Sequence, residues 1–424
     1  MLEYIGKFNI EIASKYREVN VKMGFIKNGK AYWLESEAIQ KHTYRAEGAT
    51  EIGCVVRKVL DMTLMVNDVT RLLAEGDSVN LFYTTPSGEC KVDIFFVNRV
   101  KVNDKNMVTE IEALDYLSYT KDNPMPFISM AKHTNLVTYA DRLCESLGMD
   151  LIVKGDIVNP NLKLAYPKSY LLQDVLDEMA GAMNATLTTK TNGTYGARFP
   201  LKIPFKFNQA IITENVFMEA KPYKASNPIG TLDFTNGLLE VTIDDDSTSK
   251  YERVSISVFN PSSSRSKDLG NISKQVPAMT KNVDLGVCEF KEACLPQVIH
   301  FDKEVEVVDF NISVDKAAIK INTKDILNDD LVVEFQGLNF NEVSNFEESE
   351  SKTKIVENIY IQSPNIYDTR IFKGKNISVK YTGNPLWEIG DTLNVAGMTM
   401  LVTEHELTYT GGLRGALKGV VIDG

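Results

Sequence analysis

Apolar and polar positions alternate with a period of two along much of this chain, the pattern of strands with one buried face. From Cys54 to Leu117 the stretches CVVRKVLDMTLMV and DSVNLFYTTPSGECKVDIFFVNRVKVNDKNMVTEIEALDYL predict a meander. Val79, Leu81 and Tyr83 take one face against Asn80 and Phe82, and Val108 and Ile111 recur with Glu110 and Glu112 beside them. TPSGE (Thr85–Glu89) and VNDKN (Val102–Asn106) carry turn chemistry. Strands of this length joined by short turns predict a small antiparallel barrel, in an N-terminal domain over residues 1–123.

The period changes at Lys121, where KDNPMPF stops the strand rhythm with two prolines. In HTNLVTYADRLCESLGM, Leu136, Val137, Ala140, Leu143, Cys144 and Leu147 recur at three and four, with Thr134 as candidate cap and Gly148 as stop. In KSYLLQDVLDEMAGAMNATL, Ser169 is the candidate cap, and Leu172, Val175, Leu176, Met179 and Met183 form an apolar face. Asn192-Gly193 then predicts a type I′ hairpin. Two amphipathic helices and a small sheet define an inserted α/β module over residues 124–200.

Strand patterns return afterwards. GLLEVTIDDDSTSKYERVSISVFN predicts a hairpin around its acidic turn, with Val254, Ile256 and Val258 on one face; residues 201–260 complete the first barrel region. Residues 261–350 form a β-rich peripheral insertion that opens on a polar loop, and the charged stretch NFEESESKTK (Asn345–Lys354) closes it. Five short strands with glycine turns over residues 351–424 predict a C-terminal barrel. The fold class is mainly β with an inserted α/β module, and two similar small antiparallel barrels lie near the two ends.

At 424 residues, two to four domains are expected. Forty-six Lys and Arg against 57 Asp and Glu give a net charge of −11, a poor match for gripping nucleic acid or an anionic membrane. The N-terminus has no apolar stretch of signal-peptide length, and no apolar run is long enough to predict a membrane span. The five cysteines, Cys54, Cys90, Cys144, Cys288 and Cys294, have no CxxC spacing and read as reduced thiols, Cys54 and Cys144 in apolar settings.

Candidate chemistry is sparse. None of His42, His133, His300 and His405 has a second ligand at metal-binding spacing, and no phosphate loop, dinucleotide fingerprint or nucleophile elbow is present. IDDDSTS (Ile243–Ser249) lacks the spacing of a calcium loop and reads as a solvated turn. Glu404, His405 and Glu406 are consecutive in a strand, so the imidazole points away from both carboxylates. Sequence leaves open a glycosidase pair made from distant carboxylates.

One phrase occurs twice. GDSVNLFY begins at Gly76 and GDTLNVAG at Gly390, each with an acidic residue just upstream (Glu75, Glu388), a turn, a strand and a returning hairpin. Two readings stand: coincidence of turn chemistry, or two modules of one type at opposite ends of the chain.

The order of these features resembles the hub and tail-tip proteins of bacteriophage tails and related contractile injection particles. The resemblance is carried by EGDSV (Glu75–Val79), IEALDYLSYT (Ile111–Thr120), SYLLQDVL (Ser169–Leu176), GNPLWEIGD (Gly383–Asp391) and YTGGL (Tyr409–Leu413). It covers about two thirds of the chain, and Asn260–Glu350 matches nothing in it. It implies a non-enzymatic structural protein without cofactor or metal, located in the baseplate or tip of a virion or tail-like particle assembled in the bacterial cytoplasm. It also implies a homotrimer whose six similar barrels join a sixfold tail tube to a threefold spike or tail-tip protein, among other baseplate proteins. Duplication within a subunit reconciles symmetries that differ by a factor of two. DNA, where the particle carries it, would pass through the lumen without specific binding, and net negative charge suits that passage. The candidate residues are architectural: Gly76, Asp77, Gly390 and Asp391 shape barrel turns, Asn384 and Pro385 fix the approach to the last barrel, and Gly411 and Gly412 permit a tight reversal. The alternatives are a receptor- or glycan-binding tail protein and a tail-associated cell-wall hydrolase.

Overall fold

The computed structural model describes residues 18–48, 53–86, 88–126, 128, 134–162, 170–191, 216–222, 227–244, 253–257, 266–290, 297–303, 305–312, 316–323, 329–338, 353–357, 365–368 and 375–422. The chain is mostly β, and its largest element is a 13-stranded sheet that takes strands from both ends. Six of these come from the N-terminal part: β1 (Asn20–Lys27), β2 (Ile39–Glu47), β3 (Arg57–Met65), β4 (Ser78–Thr85), β5 (Gly88–Asn103) and β6 (Val108–Leu114). Six come from later in the chain: β7 (Gly230–Leu232), β8 (Leu238–Asp244), β9 (Asn376–Tyr381), β10 (Thr392–Val395), β11 (Met398–Tyr409) and β12 (Leu413–Val421). The thirteenth, Lys30–Leu34, makes a hairpin with β1 through Asn28 and Gly29, both at positive φ as a type I′ turn requires.

The two sets are wired alike. The spatial order is β2-β3-β6-β5-β4-β1 in the first and β8-β9-β12-β11-β10-β7 in the second, so each strand has a counterpart six numbers later. Irregularities repeat as well. A bulge separates Ile39 from Lys41 in the β2·β3 ladder and Leu238 from Glu240 in β8·β9. A second separates Val97 from Arg99 in β5·β6 and Val402 from Glu404 in β11·β12. Bulges re-aim side chains and strengthen local twist, so two matched pairs impose matched curvature. Counterparts on β3 and β9 fill the same interior: Leu60, Met62 and Leu64 in one unit, Ile377, Val379 and Tyr381 in the other, all buried. The units differ at one pairing, since β1 runs antiparallel to β4 and β7 runs parallel to β10.

No ladder closes either unit into a barrel among the described residues; both lie in one open sheet and share one apolar core. Ser36, in the connection leading to β2, is bonded to β1. Ser36 Oγ accepts from the Val21 N–H and donates to the Val21 carbonyl, both at 3.0 Å. The units join where β11 extends beyond the end of β10 and pairs with β2, from Glu404 opposite Glu47 to Tyr409 opposite His42.

The α/β module has its own core. Its four-stranded sheet runs Cys54–Val55, Ala185–Thr191, Val216–Pro222, Asp150–Val153, and the helices Leu136–Ser146 and Leu172–Met183 contribute to the same apolar cluster. The expected apolar face of Leu172, Val175, Leu176, Met179 and Met183 is buried. The caps differ from expectation. Asn135, not Thr134, caps the first helix by accepting from the Thr138 N–H at 2.8 Å, because Asn135, with extended backbone directly before Leu136, holds the N-cap position. The second helix begins at Leu172 with no side-chain cap. Ser169 and the Asn192-Gly193 turn lie outside the described residues.

The hairpin expected around IDDDSTS does not form. β8 pairs with β9, supported by a Glu240–Lys380 ion pair at 2.8 Å, and Arg253–Ser257 pairs with Thr353–Glu357 and Asn365–Asp368 in a separate sheet. Long-range pairing with β9 continues the sheet, which a local hairpin would have ended. The connection from β8 to β9, residues 245–375, holds two further three-stranded sheets around a core of Leu269, Val276, Phe301, Ile319, Val333 and Phe335. Its N-terminal counterpart, the connection from β2 to β3, is residues 48–56. In each unit the flanking strand ends pair directly, Glu47 with Arg57 and Asp244 with Asn376.

Asn135→Ala is expected to lower stability by about 1 kcal/mol through loss of the helix cap. Urea denaturation of the full chain checks this.

Candidate functional site

The repeated Gly-Asp phrase forms two corners of the same construction. Gly76 has φ +85° and Gly390 φ +82°, left-handed conformations that a side chain would strain. The Gly76 N–H donates to the Val97 carbonyl and the Val97 N–H returns to the Asp77 carbonyl, each at 2.8 Å. The Gly390 N–H donates to the Val402 carbonyl at 2.8 Å, and the Val402 N–H to the Asp391 carbonyl at 2.9 Å. Each Asp carboxylate closes its turn by accepting the amide three residues earlier, Ala74 for Asp77 at 2.8 Å and Glu388 for Asp391 at 2.7 Å. Each then takes a lysine from another element. Lys27 on β1 donates to both Asp77 oxygens at 2.8 Å, and Lys221 of the α/β module lies 3.6 Å from Asp391.

The acidic residues upstream are not equivalent. Superposing the corners by their hydrogen bonds sets Glu388 against Ala74 and Ile389 against Glu75. Glu75 is exposed, whereas Glu388 ties the second corner to the α/β module through Lys190 and Lys221.

Of the remaining predicted residues, Asn384 and Pro385 shortly precede the second corner and Gly411 and Gly412 lie in the β11–β12 hairpin turn. Asn384 accepts the Leu386 N–H at 3.0 Å, and its own N–H donates to the Tyr381 hydroxyl at 3.0 Å. That hydroxyl is 2.8 Å from His405 Nε2, while His405 Nδ1 is 3.1 Å from the Trp387 carbonyl. A carbonyl can only accept, so Nδ1 carries the proton and Nε2 accepts from Tyr381. These bonds link Asn384, Tyr381, His405 and the Trp387 carbonyl. Gly411 turns the β11–β12 hairpin at φ +85°; at Gly412 a Cβ would meet nothing within 4 Å.

A buried polar junction joins three parts of the fold. Lys58 on β3 donates to Asp93 on β5 and, at 2.7 Å, to the Thr189 carbonyl of the α/β module. Asp115 accepts from the Lys58 N–H at 3.1 Å and from Thr189 Oγ1 at 2.6 Å. Burial disfavours the Lys58 ammonium, but the charge of Asp93, with Tyr44 and Asp115, outweighs burial and holds its pKa above the ordinary value. A cavity of about 30 Å³ bordered by Tyr44, Lys190, Trp387 and His405 has room for one water. Sequence reasoning missed this junction, since Lys58 and Lys190 look like ordinary solvent-facing strand residues. Asn28-Gly29 was the readable signal for the first hairpin, and with it for Lys27.

His405 is buried, with Glu404 and Glu406 on the opposite side of the strand, and Glu404 pairs with Lys418 at 2.7 Å. Among the described residues no group of three or more His, Cys, Asp or Glu side chains could hold a metal ion. Cys54, Cys90, Cys144 and Cys288 are buried, and no described helix is long and apolar enough to cross a membrane. Cys294 and His133 lie outside the described residues.

Neither a protein-family model nor a curated protein matches the sequence. Solved structures match the fold. A tail protein from Neisseria meningitidis is 10% identical with a TM-score of 0.51, and the match covers 95% of this chain and 96% of that one. A 43 kDa prophage tail protein from Shewanella oneidensis is 12% identical with a TM-score of 0.46, covering 94% and 98%. A prophage tail protein from Listeria monocytogenes is 7% identical with a TM-score of 0.43, covering 94% of each chain. The tail-protein resemblance carried by the sequence thus extends to the fold over nearly the whole chain.

Asp77→Ala and Asp391→Ala each remove the acceptor of a turn amide that water can reach, and each is expected to cost about 0.5–1.5 kcal/mol in urea denaturation. Burial lowers the pKa of His42 to about 3 and that of His405 to about 4. Both therefore stay neutral in the fold while the unfolded chain takes up protons near pH 6.5. Stability should fall as pH drops from about 6.5 towards 4, by up to about 1.4 kcal/mol per pH unit for each imidazole. The His42→Phe/His405→Gln variant should show a shallower slope over that window, and the difference between the two curves isolates these residues.

Proposed function

We propose that this protein is a structural component of a bacteriophage tail or tail-like particle, acting as a hub in which three copies form a ring of six similar β units. The carrying observation is the internal duplication: twelve strands in two sets of the same order, with matched bulges and matched Gly-Asp corners. Such a chain offers two similar surfaces per subunit. Three subunits then present six to a hexagonal tube and three to a spike, which reconciles the two symmetries without a second protein. The fold shared with the Neisseria tail protein supports the tail setting. In this reading each unit curls into a barrel-like lobe, the twelve strands of the sheet forming two lobes side by side. The corners hold the hairpins that define each lobe; Lys27 ties the first corner to β1 of its own lobe, and Lys221 ties the second lobe to the α/β module. The role is non-enzymatic, and the partners are the tube, the spike or tip, and adjoining baseplate proteins.

Light scattering and negative-stain imaging of the purified full chain test this. The expected result is a mass of three subunits and a ring of six lobes around a central hole. A compact monomer at every accessible concentration overturns it. Gly411→Val should lower the yield of assembled rings, since a β-branched residue is strained at that φ; unchanged yield and stability would remove the proposed role of that position.

A further inference from the structure

The joint between the two units inside one chain has an unfilled counterpart. Within the chain, the overhang of β11 pairs with β2: Glu406 opposite Arg45, Leu407 opposite Tyr44, Thr408 opposite Thr43. The matched bulges set the equivalences, Val402 to Val97 on the long hairpin strands and Glu240 to Lys41 on the partner strands. Carrying the pairing across gives β5 against β8, with Lys101 opposite Asp244, Val102 opposite Ile243 and Asn103 opposite Thr242.

Both of these edges are open among the described residues. β4 covers β5 only from Gly88 to Phe96, and beyond the bulge Arg99–Asn103 pair on one side only, with β6. β8 ends the sheet, with β9 its one ladder partner. The side chains match the implied register. Val102 and Ile243 are each 42% exposed, while their counterparts Leu407 and Tyr44, in the closed joint, are 0% and 8%. An apolar residue is thus kept at the same position on both open edges. Opposite charges stand at the register position in both, Glu406 opposite Arg45 in the closed joint, where Arg45 bonds Asp61, and Lys101 opposite Asp244 across the open one, where Lys101 lies 3.8 Å from Glu110 on β6. An unpaired strand edge is a template for another strand, and opposite charges and apolar pairs facing each other set its register.

We propose that β5 of one copy adds to β8 of a second copy in antiparallel pairing, with Lys101 facing Asp244 and Val102 facing Ile243. This rests on the ring reading and names its seam. The contact is head-to-tail, so it propagates and closes only when the rotation per unit divides the circle. Alternating the intrachain and interchain seams around six units closes a ring at three chains, with the sheet hydrogen-bonded throughout.

The test is a Val102→Cys/Ile243→Cys variant of the full chain in a Cys294→Ser background, oxidised and run without reductant. The described native thiols are buried, so the introduced pair reacts first. The expected product is a covalent trimer, absent from a register-shifted Val102→Cys/Leu239→Cys control. Lys101→Glu should weaken assembly about five-fold by setting two carboxylates opposite each other, a penalty of about 1 kcal/mol, and Lys101→Glu/Asp244→Lys should restore it. A trimer by light scattering that does not cross-link at 102 and 243 overturns this seam and leaves the ring reading standing. A chain that stays monomeric at every concentration and does not cross-link overturns both. Cross-linking equal to the control, or a Lys101→Glu variant that assembles as wild type, rejects the register.

Discussion

A strand needs hydrogen-bonding partners on both sides or water in their place, and in this protein that requirement is met across long distances in the chain. β11 is longer than its hairpin partner β10, so its far half would be left with one bare side. The bulge after Val402 turns that half away, and β2, from more than three hundred residues earlier, covers it. One apolar core then spans both ends of the chain. The overhang in turn depends on the Gly-Asp corner, which fixes where the hairpin starts and therefore where β10 stops covering β11.

The corners were legible because their physics is local. A left-handed glycine and a carboxylate that captures the amide three residues back need only neighbours in sequence, so GDSVN and GDTLN declared themselves. The apolar faces of the two helices were readable for the same reason. Strand partners were not. The acidic stretch after Leu238 looks like a hairpin in isolation, yet β8 finds its partner in β9 across an entire inserted module. Likewise β1 and β2 have partners distant in the chain, and only Asn28-Gly29 marks the turn beside β1. The lysines at 58 and 190 look solvated in sequence and are buried in fact, since the carboxylates that receive them come from elsewhere in the chain.

The duplication is faithful in architecture and loose in composition. Of the phrase around each corner, Gly, Asp and Asn are kept, while the clamping lysine comes from β1 in one unit and from the α/β module in the other. Backbone geometry is thus the conserved quantity between the halves, and side chains have adapted to different surroundings. The same holds at the polar junction, where Lys58 and Lys190 bind three modules together through charged groups that would be costly to leave unpaired in the interior.

The link between β8 and β9 leads outside the duplication. Its two ends are neighbouring strand residues, Asp244 and Asn376, so a folded body can be grafted there at little more than the entropy of closing a loop. The corresponding site after Glu47 carries only residues 48–56. In any assembly built from this chain, appendages of that kind therefore occur once per copy rather than once per lobe.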